Sequence, residues 1–307
     1  ITYGNEPCVL PKARKNPIEI EGTRAAHLTD ASAVCELLCW LDQQPIGSTT
    51  EIDVVSQLEQ KRRNTNALQD ISFDTIAGSG PNGAIMHYRV THETSRTLTD
   101  GDLIVIDSGG QYLNGTTDIT RTVAIGTVGD EERTAFTRVL QGMIAISRMR
   151  WPKGLAGRDI EAVGRVPLWL AGQDFDHGIG HGVGHFLSVH EGPASISKRL
   201  IDVPLVEGMV LSNEPGYYRA EQFGIRIENL ELVVEIETQG DFSVLGFESL
   251  TRCPIDKRLI NVDMLNRPEL TWLNNYHQKV WDDVSPLVDG EVKEWLKQAT
   301  AELSYES

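Results

Sequence analysis

The 307-residue chain has no apolar run of about 18 residues, the length a membrane-spanning helix needs, so no such helix and no membrane partner are expected. Positive charge is in deficit: 28 Lys and Arg face 44 Asp and Glu, a formal charge of −16. That balance removes the electrostatic basis for binding nucleic acid or an anionic membrane. Cysteine is scarce. Cys8, Cys35, Cys39 and Cys253 form neither a C-x-x-C pair nor a zinc-ligand spacing. They read as small buried residues of a reducing compartment, which implies the cytoplasm. The H-E-x-x-H pattern of zincins is absent. The first residues, ITYGNEPCVL, carry no apolar signal core and no initiator Met, so the chain is expected to be the C-terminal portion of a longer one.

What is present is an ordinary globular composition, 40% hydrophobic and 23% charged. Residues 1–16, punctuated by Pro7 and Pro11, read as an extended linker from an upstream domain. Helical periodicity begins near Glu19, with Leu28, Ala31, Val34, Leu38 and Leu41 at spacings of three and four. A second helix is expected near Thr50, a third from Asp130, as its cap, through Trp151, and a fourth over 159–171 interrupted by Pro167. LIVIDS (103–108) and DITRTVAI (118–125) read as a β-hairpin around an Asn-Gly signal at 114–115. Two more strand regions, EGMVLSNEPGYY and FGIRIENLELVVEIE, precede a helical C-terminus. Mixed strands and helices in this order predict an α+β fold.

One stretch stands out. HGIGHGVGHFLSVHEGP (177–193) holds four of the eight histidines. Gly178, Gly180, Gly182 and Gly184 would cost a helix roughly 1 kcal/mol each, so an extended conformation is expected. His177, Ile179, His181, Val183 and His185 then share one face, and the glycine face admits close approach of other backbone. A glycine-rich core strand with partly exposed histidines fits the same pattern. Elsewhere, Asp107 ends an apolar strand and Asp118 begins its hairpin partner, so the two carboxylates meet across the ladder. A cation between them would relieve their repulsion; turn-capping aspartates would look alike. Glu214 sits where a strand ends at Pro-Gly. Glu228 alternates with Arg226 on a strand, as part of a site or as a buried ion pair. Two Asp, two Glu and one His at strand ends could hold two divalent ions in an oxygen-rich shell suited to Mn(II), with Zn(II) as an alternative. Such a pair activates water and polarises a carbonyl, which is hydrolytic chemistry.

DSGGQYLNGTTDITRT, HGIGHGVGHFLSVHEGP, SNEPGYY and GIRIEN, in that order, resemble the pita-bread metallopeptidases of family M24, and within them the long, multidomain, cytosolic Xaa-Pro aminopeptidases. The resemblance implies a curved antiparallel sheet flanked by helices. It divides the chain into a linker (1–16), a catalytic domain (17–248) and a C-terminal helical extension (249–307). It implies Asp107, Asp118, His181, Glu214 and Glu228 as ligands of two ions, with Asp118 and Glu228 bridging. Mn(II) is the expected metal and Zn(II) or Co(II) the alternatives. Glu214 would also be the general base. His87, His177 and His190 would contact substrate, His87 and His190 also serving proton transfer. Arg226 would orient Glu228, with Tyr218 in that network; His185 has no role. The implied substrates are peptides with proline second, and the implied assembly is a homodimer. Prolidase activity and a non-catalytic binding module are the alternatives.

Overall fold

The computed structural model describes residues 6–305. Capping explains where its first long helices start. Asn16 accepts from the N–H groups of Ile18 and Glu19, while Glu19 accepts from the N–H of Asn16. Pro17 occupies the first turn, where its missing N–H is harmless. A short helix α1 (Val9–Ala13) thus leads into α2 (Pro17–Asp42), and a Thr50/Asp53 capping box starts α3 (Glu51–Asn64).

Strands β1 (Leu68–Ile71) and β2 (Ile76–Ser79) come next, then β3 (Leu103–Ser108), β4 (Gly110–Tyr112), β5 (Gly115–Thr116) and β6 (Ile119–Ala124). Helix α4 (Asp130–Ser147), strand β7 (Arg150–Pro152) and helix α5 (Gly157–Trp169) precede two short paired strands, β8 (Gly180–His181) and β9 (Ser195–Ile196). The strand-rich part ends with β10 (Val210–Asn213), β11 (Gly216–Arg219), β12 (Phe223–Arg226), β13 (Asn229–Ile236) and β14 (Val244–Ser249). Helices α6 (Arg267–Val284) and α7 (Gly290–Ala299) follow. The ladders are antiparallel, in the orders β2-β3-β6 and β10-β13-β14-β7. This is the α+β architecture expected.

Two apolar clusters hold these layers. One gathers Phe136, Leu140 and Met143 of α4 with Trp151, Ile160, Leu211 and Ile225. The other packs Leu37, Val54 and Leu58 of α2 and α3 against Ile104 and Val123 of β3 and β6. Each such side chain contributes about 1.5–3 kcal/mol by leaving water. The site lies where the strands emerge between these clusters. Trp272, Trp281 and Trp295 are half-buried against the core, and Trp295 donates to Asp42 (2.7 Å).

Several local expectations are corrected. The third helix stops at Ser147, because residues 150–152 pair with β14. Its cap is Gly129, leaving Asp130 in the first turn. Pro167 sits within the last turn of α5 and the helix continues to Trp169. The hairpin turns on Leu113 and Asn114, with Tyr112 opposite Gly115. Residues 6–16 are not an extended linker: they contain α1, and Lys15 is buried. Residues 1–5 of that linker, and 306–307 of the C-terminal extension, lie outside the described residues. Cys35, Cys39 and Cys253 are buried free thiols as expected, but Cys8 is exposed.

The histidine stretch forms a regular strand at Gly180–His181, where it meets β9, and bridges to Leu211 from Gly182. It is no flat strand face: Ile179 and Val183 enter different apolar clusters. The glycines serve backbone crowding. A Cβ at Gly180 would collide with the Ser212 carbonyl, and one at Gly182 with the Glu191 carbonyl.

Candidate active site

Strand register brings the first two carboxylates together. Asp107 pairs with Thr120 across β3 and β6, so Asp118, two residues before Thr120, lies diagonally on the same face. His181 arrives from β8 and Glu214 from the end of β10. The Glu214 N–H donates to Ile179 (2.7 Å), which locks those two segments side by side. Glu228 occupies the break between β12 and β13, and its N–H donates to Thr120 (3.1 Å). Ligand atoms of Asp107, Asp118 and Glu228 lie within 4.8 Å of one another, as do those of His181, Glu214 and Glu228. His190, with Asp118 and His181, forms a third such set. His181 Nε2 is 3.3 Å from Glu214 and 3.5 Å from Asp118.

These groups line one end of a cleft of about 550 Å³, together with His87, His177, His190 and Arg226. The cleft end is overloaded with acid. Burial first, then Asp107 and Glu214, hold the Asp118 carboxyl well above the usual range. Burial and Asp118 do the same to Glu228, and burial raises Glu214. One buried guanidinium answers them directly: Arg226 donates to Asp107 (2.6 Å). Asp107 Oδ1 and Glu228 Oε1 are buried and have no hydrogen-bond partner among the described residues. Hard oxygen donors, one imidazole and uncompensated charge fit divalent cations.

A hydrogen-bond chain runs from Arg226 to His177 beside the acid cluster. The His177 Nδ1 faces the Gly178 carbonyl (2.8 Å), which assigns the proton there. Nε2 is then left to accept from the Tyr218 hydroxyl (2.9 Å), which in turn accepts from Arg226 (2.6 Å). Burial, reinforced by the Arg226 charge, lowers the His177 pKa to about 3, so it stays neutral. Burial and His181 also lower the pKa of His190, whose ring packs edge-on to His181 at 4.2 Å.

Residues 21–235 match metallopeptidase family M24, and residues 243–303 match the C-terminal region of its peptidases. The chain belongs to metallopeptidase family M24. It is 47% identical to the probable Xaa-Pro aminopeptidase P of Laccaria bicolor, over 98% of this chain and 48% of that protein. Identity to aminopeptidase P2 of Arabidopsis thaliana is 44%, over 98% of this chain and 44% of that one. The X-prolyl aminopeptidase of Caenorhabditis elegans, described as a cytosolic enzyme with a di-nuclear active site, superposes with a TM-score of 0.94 at 35% identity. That match covers 97% of this chain and 50% of the nematode chain, and it carries the pita-bread fold of M24 across the present one. The chain spans about half the length of the curated relatives it matches.

Within this M24 chain, the five expected ligand residues and the three expected substrate-facing histidines line the same cleft. One expected contact is corrected. The link from Arg226 to Glu228 is indirect: Arg226 reaches Asp107, Tyr218 and Thr120, and Thr120 in turn donates to Glu228. β12 ends at Arg226 and the next strand starts at Asn229, so the alternation that would align the two side chains is broken. His185 faces away and meets the Thr23 hydroxyl (3.2 Å). Two orienting hydroxyls escaped the sequence reading. Thr120 donates to Glu228 Oε2 (2.8 Å), and Ser212 donates to Glu214 Oε1 (2.9 Å) while accepting from the His181 N–H (2.9 Å). Each lies two residues before or after a site carboxylate on a strand, which was the available signal.

Proposed function

We propose that the chain is the catalytic part of an Xaa-Pro aminopeptidase, releasing the N-terminal residue of peptides with proline second. The observation that carries this reading is the convergence of four carboxylates and His181 at the end of a cleft walled by three more histidines. The names of the relatives support it over prolidase, and the intact acid set argues against a binding module. Asp107, Asp118, His181, Glu214 and Glu228 would hold two divalent ions, with Asp118 and Glu228 between them and Mn(II) preferred. Zn(II) and Co(II) remain the alternatives. Bound there, the ions would supply Lewis acidity and lower the pKa of a water toward neutrality.

The chain's own groups supply the proton traffic. Glu214 is half-buried, faces the cleft and accepts from Ser212, a position that suits a general base at its carboxylate. His190 and His87, both exposed and lining the cleft, would bring a proton to the leaving proline nitrogen. His177 and Tyr218 hold the cleft wall. Arg226 contributes by fixing Asp107 directly and Glu228 through Thr120. All these residues fall in 17–248, which we treat as the catalytic unit, with 249–307 as its extension. No helix among the described residues is long and apolar enough to cross a membrane. A cytoplasmic homodimer, recognising peptides and not nucleic acid, completes the reading; sedimentation of the full chain tests the dimer.

The test is hydrolysis of Arg-Pro-Pro, Ala-Pro and Arg-Ala-Ala with Mn(II) added and then chelated. The expected result is Mn-dependent release of Arg from Arg-Pro-Pro alone. Cleavage of Ala-Pro alone would instead make the chain a prolidase. Full metal loading with every peptide untouched would refute the activity of this chain on its own.

A further inference from the structure

One buried cation outside the cleft has no part in the reading above. The Lys15 side chain is 2% exposed. Its ammonium has three donors, and all three are used: on the Val183 carbonyl (2.5 Å), the Glu191 carboxylate (3.0 Å) and the Ala13 carbonyl (3.2 Å). Val183 and Glu191 stand at the two ends of one loop. That loop leaves the cleft just after His181 and returns just after His190. Its neck is closed by the Glu191 N–H donating to Gly182 (2.7 Å). Its tip is held in an unfavourable shape, since Leu187 and Ser188 both take positive φ (62° and 52°), which surrounding contacts must impose. Gln111 supplies one contact by accepting from the Leu187 N–H (3.0 Å). Lys15 itself is fixed to the fold, because its N–H donates to Gly208 (2.8 Å) and Arg14 bridges to Met209.

We propose that Lys15 is a positioning residue for the active site: its ammonium clamps both ends of the 182–191 loop and thereby holds His190 against His181 on the cleft wall. Only the kinetic part of this inference rests on the proposed function. A segment ahead of the matched family region thus reaches the loop that carries His190. Lys12 gives an internal control. It pairs with the same Glu191 (2.9 Å), but its side chain is 60% exposed, where solvent screens the pair.

The test compares Lys15→Met, Glu191→Gln and Lys12→Met in the Mn(II)-supplemented full chain. Hydrogen exchange is followed by mass spectrometry, beside steady-state kinetics on Arg-Pro-Pro. Lys15→Met should speed exchange in 182–191 while β3 and β6 keep wild-type rates. Its kcat should fall about 10- to 100-fold, as for a displaced catalytic group, with KM nearly unchanged and metal content intact. Glu191→Gln, which keeps an acceptor for Lys15, should show the same pattern more weakly, and Lys12→Met should resemble wild type. Unchanged exchange in 182–191 overturns the proposal. So does faster exchange in every element alike, which would mark a merely structural role, or a loosened loop with full kcat. A wild type inactive on all proline peptides would refute the proposed function, and the exchange data would still decide the clamp.

Discussion

Asp30 and Asp118 border the same small cavity, yet they belong to opposite kinds of buried charge cluster. Asp30 receives two bonds from Arg62 (2.8 and 3.0 Å) and one from the Tyr112 hydroxyl (2.7 Å). Burial is the largest single influence and would raise its pKa, but the Arg62 charge and the hydrogen bonds from Arg62 and Tyr112 together hold it below the usual value. Asp118 is equally buried and is pushed the other way, with three more carboxylates around it and Arg226 committed to Asp107. Balanced charge of the first kind closes a gap between helices. Surplus charge of the second kind is destabilising in the protein alone, and persists where something else completes it.

Four measurements on three substitutions put this contrast at risk, the largest effect first. Asp118→Asn should lower metal content below two ions per chain by elemental analysis, and lose activity by more than the roughly 10- to 100-fold typical of groups behind a ligand. Unchanged stoichiometry would mean that Asp118 is not part of the metal shell. His87→Ala lies outside both clusters and should keep both ions while turnover drops about 10²- to 10⁴-fold. Near-normal turnover would remove it from proton transfer. Asp30→Asn strands the Arg62 charge and should cost about 3–5 kcal/mol in urea unfolding, as for other broken buried pairs. With a chelator present, Asp118→Asn should do the reverse and raise the unfolding midpoint by about 2–4 °C. If both substitutions destabilise the chelated protein, the surplus-charge account is wrong.

The smallest effect is a pH dependence. His27 borders the same cavity, and burial lowers its pKa to about 4. The unfolded chain binds this proton first, near the usual 6.5. The stabilisation from neutral His27 is therefore complete above pH 6.5 and lost as pH falls toward 4. The slope is at most about 1.4 kcal/mol per pH unit. His27→Gln should flatten the stability profile in that window relative to wild type. An identical slope in the two proteins would place the acid sensitivity elsewhere.

The same contrast separates what the sequence could reveal from what it could not. Asp107 and Asp118 were legible because a hairpin fixes two strands in one register over a short separation. His181, Glu214 and Glu228 were legible through their motifs, each a rigid turn or a glycine-crowded strand end. Arg226 was expected to meet Glu228 directly because alternation assumes a continuous strand; the break before Asn229 routes the link through Thr120. β7 went unread because its pairing is tertiary: residues 150–152 look like the end of a helix until a distant strand claims them. Lys15 was invisible for the same reason, since its partners Val183 and Glu191 are more than 160 positions away.

The Asp107–Arg226 pair spans 119 positions of chain. The loop between its ends must close before the Arg226 guanidinium reaches the acid cluster, and closure over such distances comes late and slowly. Until then the carboxylates hold a few scattered, mutually repelling charges and no chelating geometry. Metal capture should therefore be among the last events of maturation, a seal on a finished fold. In that order of assembly this protein is the opposite of small zinc domains, in which the ion itself organises the chain.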